Sequence, residues 1–230
     1  MSVYVKLIAS TPDADKVVAA AAKICYSPSG AAEILDGLDE GKTVSFLAML
    51  RKAGHFSPFE HASFTFAIEG LSRVATHQLV RHRVASYSQQ SQRYVEMKGN
   101  CCIVPPTVAE NAEAKALFEK QAEAAFETYQ KLVALGVPRE DARFILPHGF
   151  ETRLVVTMNA RELHHFFALR LCRRAQWEIR ETARGMLREA RAAAPQLFDI
   201  AGPSCVTEGK CAEAHPCGNP YKDMEQLLSE

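Results

Sequence analysis

In HASFTFAIEG, running from His61 to Gly70, the apolar residues Phe64, Phe66 and Ile68 alternate with Ser63, Thr65 and Ala67. Successive side chains of a strand point to opposite faces, so this period of two predicts a strand with one face in a core. Gly70 is expected to end it. The neighbouring segments have helical spacing instead. Leu71–His82 follows directly, and Val44–Lys52 precedes with Phe46, Leu47 and Leu50 on one side. A strand set between helices, with no second strand immediately beside it, points to an α+β arrangement rather than an all-β one.

Further out, Tyr4–Ile8 reads as a short strand, and Thr11-Pro12-Asp13 offers an N-cap with proline at the first helical position before a helix over Val17–Cys25. Ser27–Gly30 breaks the chain. On the other side, Val84–Tyr94 is expected to be a polar connector, because every residue from Ser86 to Arg93 is polar or hydroxylated. Ala109–Leu135 predicts a long amphipathic helix closed by Gly136, Pro138 opens another, and Leu154–Thr157 suggests a strand. Asn159-Ala-Arg-Glu162 has the form of a capping box and opens a helix through Cys172 that is expected to run on toward Ala194. The chain shows no internal repeat and no linker that forces a boundary. The expectation is one α+β domain over residues 1–230, a central mixed or antiparallel sheet flanked by helices, with a cysteine-containing tail from about residue 201.

The composition excludes several classes. The chain has 230 residues, 27 Lys+Arg against 27 Asp+Glu, and 47% hydrophobic residues, which are the proportions of a globular protein. At this length roughly 70–75% of the unfolded surface can be buried without a metal or disulfide staple. A net charge of zero argues against a chain built for nucleic acid or for a membrane surface, and neither partner is expected. No apolar run approaches the roughly 18–20 residues of a membrane span, and the first residues lack the basic and apolar regions of a signal peptide. Seven cysteines, an odd number, fit a reducing compartment, so a cytoplasmic location is expected.

Neutrality hides a concentrated field. Between Gly70 and Val95 no acidic residue occurs, while Arg73, Arg81, Arg83 and Arg93 stand with His77 and His82. Gln78 and Arg81 are three apart, so on a continuous helix they share a face. Ser86, Ser88 and Ser91 supply hydroxyls, Gln89 and Gln90 offer paired donors and acceptors that suit a pyrimidine imide edge, and Arg93 can fork onto phosphate. No glycine lies there, so the segment is not a P-loop. Read from the residues alone, three accounts stand: a site for an anion attached to a base, a solvated basic face, or a platform for RNA.

One resemblance narrows this. Arg81-His82-Arg83, seven residues, then Ser91 matches the signature of the flavin-dependent thymidylate synthases, standing here as RHRVASYSQQS followed by QRY. The likeness extends to His55-Phe-Ser-Pro-Phe-Glu-His61, Pro138–Arg143 with Leu146-Pro147, Asn159-Ala-Arg161, Leu169-Arg170 and Ala175–Ile179. It implies reductive methylation of dUMP to dTMP, with methylenetetrahydrofolate as one-carbon donor, NADPH reducing a bound FAD, and no cysteine nucleophile. It further implies an α+β fold and a homotetramer with shared sites. Carried over by position, the dUMP contacts fall on Gln78, Leu79, Val80, Arg81, Gln89, Gln90, Ser91, Gln92, Arg93, Arg143 and Arg170. The flavin contacts fall on His55, Ser57, Arg81, His82, Arg83, Gln89, Asn159, Arg161 and His165. The family commonly has an acid where Gln89 stands and Asn where His165 stands. Arg170 is the residue implied to activate the uracil, through a guanidinium that keeps its charge. Arg161 and Arg170 are nine residues apart, about half a turn out of phase, so two ligands on opposite helix faces are expected.

Cys205, Cys211, His215 and Cys217 could ligate a metal, but the spacing C-x5-C-x3-H-x-C matches none of the usual structural patterns, so no metal is expected.

Overall fold

Phe64, Phe66 and Ile68 do form the buried face of a strand, and the strand is long: β2 runs Ser63–Ser72. The computed structural model describes residues 3–99 and 101–230. In chain order the elements are β1 (Tyr4–Ser10), α1 (Ala14–Lys23), α2 (Ala31–Asp36), α3 (Glu40–Lys52), β2, α4 (Arg73–Leu79), β3 (Ala85–Gln89) and α5 (Pro106–Ala109). They continue with α6 (Ala112–Ala134), α7 (Arg139–Ala142), β4 (Glu151–Asn159), α8 (Ala160–Arg170), α9 (Trp177–Ala193), α10 (Ser204–Thr207) and α11 (Met224–Ser229). The sheet has the order β1-β2-β4-β3 with antiparallel neighbours throughout. Opposite pairs Phe64–Met158, Phe66–Val156 and Ile68–Leu154 put apolar side chains on one face, where Leu163, Phe166 and Phe167 of α8 and Ile179, Met186 and Leu187 of α9 complete the core. A second, smaller core gathers Met97, Phe126, Tyr129 and Phe150 under α6. The fold is α+β.

Several boundaries differ from the sequence expectation, each for a local reason. Gly70 does not end β2. It takes φ 72° at the irregularity in the β2–β4 pairing between Ile68 and Leu71, a backbone region that glycine enters without steric cost, and the strand resumes. The helix expected over Leu71–His82 is shorter because Ser72 caps it: the Ser72 hydroxyl accepts from Ala75 N at 3.2 Å. Thr11 is not the cap of α1. Asp13 holds that position, while Thr11 exchanges hydrogen bonds with Ser63, extending the β1–β2 ladder.

The connector expected over Val84–Tyr94 contains β3, an edge strand. Its Ser86 and Ser88 face solvent, so the apolar alternation that would betray a strand is missing. The helix from Asn159 stops at Arg170 instead of running to Ala194. Gln176 accepts from Glu178 N and Ile179 N to start α9 afresh, and the Arg180 guanidinium takes the carbonyls of Arg173 and Ala175 in the break. That break lets α9 lie against β1 closely enough that a Cβ on Gly185 would meet Val5 at 2.8 Å. The tail beyond residue 201 carries α10 and α11, and the buried Arg184 of α9 donates to the Leu227 carbonyl at 2.8 Å.

Candidate active site

α4 ends at Leu79, and the turn that follows carries Arg81-His82-Arg83 into β3. This turn is fastened from below. The Tyr87 hydroxyl lies 2.9 Å from the Leu79 carbonyl and 2.8 Å from the His82 carbonyl, and burial, with the nearby Glu162, raises its pKa far above the ordinary tyrosine range. Arg81 and Arg83 are exposed and make no ion pair or side-chain hydrogen bond among the described residues. Their charges are available to a ligand. Gln78 and Arg81 do not share a helix face as expected, because the helix stops between them and Arg81 N turns back onto the Gln78 carbonyl. Val80 is the exposed C-cap of α4, and Leu79 is buried.

His82 is the opposite of its two neighbours: it is 4% exposed. Its Nδ1 meets Glu162 Oε1 at 3.0 Å and its Nε2 accepts from Arg170 Nε at 3.1 Å. Arg170 has no lone pair to offer, so Nε2 is the unprotonated nitrogen and the proton sits on Nδ1, directed at the carboxylate. Burial lowers the His82 pKa, the hydrogen bond to Glu162 opposes that, and the charge of Arg170 adds to the lowering. A second Arg170 donor reaches the Gln78 carbonyl at 3.4 Å. Arg170, His82 and Glu162 therefore form one chain of contacts between α8 and the basic turn. Glu162 was not among the expected site residues. Its capping-box pattern was the only signal, and the box is half formed: Asn159 Oδ1 accepts from Glu162 N at 2.8 Å, but the Glu162 carboxylate turns to His82.

The faces of α8 are less separate than a half-turn offset implies. Arg161 and His165 line a cleft of about 690 Å³ with Arg51, Phe56, His164 and Asp199, and the His165 ring also stands 5.5 Å from the ring of His82. His82 thus touches the surroundings of both groups. His55 and Ser57 are exposed on either side of Phe56, and the turn Ser57–His61 that follows is tied to α8 by an ion pair between Glu60 and Arg161. The rings of Phe56, His164 and His165 line the cleft together with the cations Arg51, Lys52 and Arg161 and the acids Asp199 and Glu208, a lining that can take a flat group with polar edges. His82, Glu162 and His165 approach within 4.8 Å of one another, but both nitrogens of His82 are already committed.

The remaining expected residues form a second neighbourhood. Gln90 bonds backbone to backbone with Arg153, and its carbonyl accepts from Arg73 at 3.1 Å. Ser91 Oγ accepts from Arg93 N, and Arg93 pairs with Glu140 at 2.7 Å. Arg143 donates to the Glu140 carbonyl, and burial together with the Arg143 charge lowers the pKa of the Arg73 guanidinium. Two cations beside each other, with buried Arg73 Nε and Gln92 Nε2 lacking partners, fit an absent anion. Arg73 was seen as part of the basic run but not as a site residue. Gln89 points elsewhere: its amide donates to Thr152 Oγ1 at 3.2 Å and Thr76 Oγ1 at 3.4 Å, bracing β3 against β4 and α4.

The sequence and the fold have known counterparts. The family described as "Thymidylate synthase complementing protein" matches residues 6–196. A flavin-dependent thymidylate synthase of Geobacter sulfurreducens is 48% identical over 98% of this chain and 98% of its own length, and one of Clostridium tetani is 48% identical over 95% and 94%. Among solved structures, a UMP/dUMP methylase, PolB of Streptomyces cacaoi bound with 5-Br dUMP, superposes with a TM-score of 0.77 at 29% identity, covering 86% of this chain and 93% of that one. The chain belongs to the flavin-dependent thymidylate synthase family, and it is an enzyme of the methyltransferase kind.

Proposed function

We propose that this enzyme methylates dUMP reductively to dTMP, with methylenetetrahydrofolate as one-carbon donor and FAD, reduced by NADPH, as hydride source. The observation that carries the reading is the contact chain Arg170–His82–Glu162 at the root of the Arg81–Arg83 turn. A methylation at C5 of uracil needs electron density pushed onto the ring, which leaves negative charge toward N3 and O4. The Arg170 guanidinium, held by His82, offers a fixed positive group for that charge. Arg73, Arg81, Arg143, Gln90, Ser91, Gln92 and Arg93 are assigned to the nucleotide, its phosphate falling to the arginines, with Arg81 placed to reach both nucleotide and flavin. Arg161, His165 and the Phe56 cleft, with Arg81, His82, Arg83, His55, Ser57 and Asn159, are assigned to the flavin, which when bound supplies the hydride.

The cysteines support a reaction without a thiolate nucleophile. Burial, with a smaller push from Cys101, raises the Cys102 thiol to about 11, and burial also raises Cys172, so neither ionises readily near neutrality. A homotetramer with shared sites, as the family resemblance implies, is the assembly proposed. Among the described residues no helix is long and apolar enough to cross a membrane. The test is dUMP-dependent oxidation of NADPH in the presence of methylenetetrahydrofolate, with dTMP identified as product. A colourless protein that flavin cannot reconstitute, yet that binds nucleotides or RNA, would overturn the assignment.

A further inference from the structure

The sequence places Cys205, Cys211 and Cys217 in the tail, and the structure adds a fourth thiol from far upstream. Cys172, two residues past Arg170, lines one cavity of about 180 Å³ together with Cys205, Cys211 and Cys217. His215, suggested by spacing alone, is not among the residues that line it.

Two further observations fall on the same cavity. Among the described residues, few buried side-chain polar atoms lack a hydrogen-bond partner, and two of them, Arg173 Nε and the Tyr221 hydroxyl, belong to residues of this lining. Tyr221 is 3% exposed, and the Arg173 guanidinium lies over its ring at 4.2 Å. A buried donor without an acceptor is costly, so two in residues of one lining, one of them in a guanidinium whose other end pairs with Glu230, mark a place where a further acceptor would be favoured.

We propose that Cys172, Cys205, Cys211 and Cys217 are the four thiolate ligands of a structural zinc ion. Sulfur donors select a soft or borderline metal, and four protein ligands close a tetrahedron with no position open to substrate. Binding forms four Zn–S bonds and releases four thiol protons to solvent, with no electron transferred. The resulting centre carries net negative charge, which gives the Arg173 N–H and the Tyr221 O–H the acceptor they lack.

The thiols ring the space without meeting, since no three of them lie within 4.8 Å of one another among the described residues. Zn–S bonds of about 2.3 Å would draw them inward. Cys211 and Cys217 are exposed, and their segment is irregular, with Gly209 at φ 69° and Gly218 at φ 74°. It is the part of the lining with the least secondary structure to resist closing. The ion would then clamp the tail to the end of α8, next to Arg170. The inference stands apart from the reaction proposed above.

The experiment uses the whole chain, without a histidine tag, purified under reducing conditions and supplied with zinc. Elemental analysis should find about one zinc per chain. Alkylation followed by mass spectrometry should find Cys172, Cys205, Cys211 and Cys217 protected until a chelator is added, while the exposed Cys25 reacts from the start. Both readouts use the wild-type protein and so survive a variant that does not fold. Cys172→Ser should lose zinc and Cys25→Ser should keep it. Zinc far below stoichiometric, iron with acid-labile sulfide in its place, alkylation of the four thiols at the rate of Cys25, or full zinc in Cys172→Ser would each overturn the proposal.

Discussion

Arg170 donates through Nε to Nε2 of His82 at 3.1 Å, a contact that requires His82 to be neutral. If His82 were protonated, both its nitrogens would be donors and Arg170 would face a repelling N–H. Glu162 holds the proton on Nδ1 and thereby leaves Nε2 free to accept. In Glu162→Ala that hold is gone, and we expect kcat to fall by about tenfold or more with little change in the KM for dUMP. Glu162→Gln keeps an acceptor for Nδ1–H and should recover part of the loss. Equal losses in both variants would show that the carboxylate charge, and not the hydrogen bond, is what matters.

Arg170→Lys tests the fork itself. Lysine retains the charge but cannot donate to His82 and to the Gln78 carbonyl in one plane. The single-turnover oxidation of reduced flavin with both substrates present should slow by about a hundredfold, the usual cost of one misplaced donor, while dUMP affinity changes less. A wild-type rate would remove Arg170 from the chemistry. Flavin content in the same preparation reports whether disturbance spreads through His82 to His165, whose rings are 5.5 Å apart.

Arg81→Ala should weaken dUMP binding roughly ten- to hundredfold, the worth of one charge-assisted hydrogen bond. Because Arg81 is exposed, with no side-chain partner among the described residues, its removal should leave the thermal midpoint unchanged. Calorimetry and a thermal melt on the same sample separate the two effects. Unaltered dUMP affinity would refute the assignment.

The stability of the fold should depend on pH through His164. Burial lowers its pKa from 6.5 to about 4, against an opposing hydrogen bond with the Leu197 carbonyl. A histidine that resists protonation when folded leaves the unfolded chain to take up the proton first. Stability is then full above about pH 6.5 and is lost progressively as pH falls toward 4. In His164→Gln the melting midpoint should decline less steeply over that range. Parallel curves for variant and wild type would count against the burial account.

Much of this was legible in the residues, and the failures share a cause. β2 is legible in its apolar alternation and β4 in the run Leu154–Thr157, rich in β-branched residues, whereas β3 escapes because an edge strand needs only backbone pairing and its outward residues are serines. The Arg81–Ser91 signature located the basic turn, but not the role of Tyr87 within it as the residue that fastens its carbonyls, and the capping box marked Glu162 without its partner: the His82–Glu162 contact joins residues 80 positions apart. Arg73 was visible as charge, yet its closeness to Arg143 depends on how the second core packs beneath α6 and could not be read from spacing. The break between α8 and α9 contains neither glycine nor proline and is made by the side chains of Gln176 and Arg180.

The close fit of Gly185 against Val5 also has a temporal side. β1 leaves the ribosome long before the helix that covers it, and the Leu7 amide waits for the Glu189 carboxylate, 182 residues away, at 2.9 Å. Likewise β2 emerges well before β4, its central partner. The nascent β1–β2 ribbon, whose strands pair with each other, therefore keeps an apolar face uncovered until later segments are made: the sheet is completed only after β4, and its core only after α9.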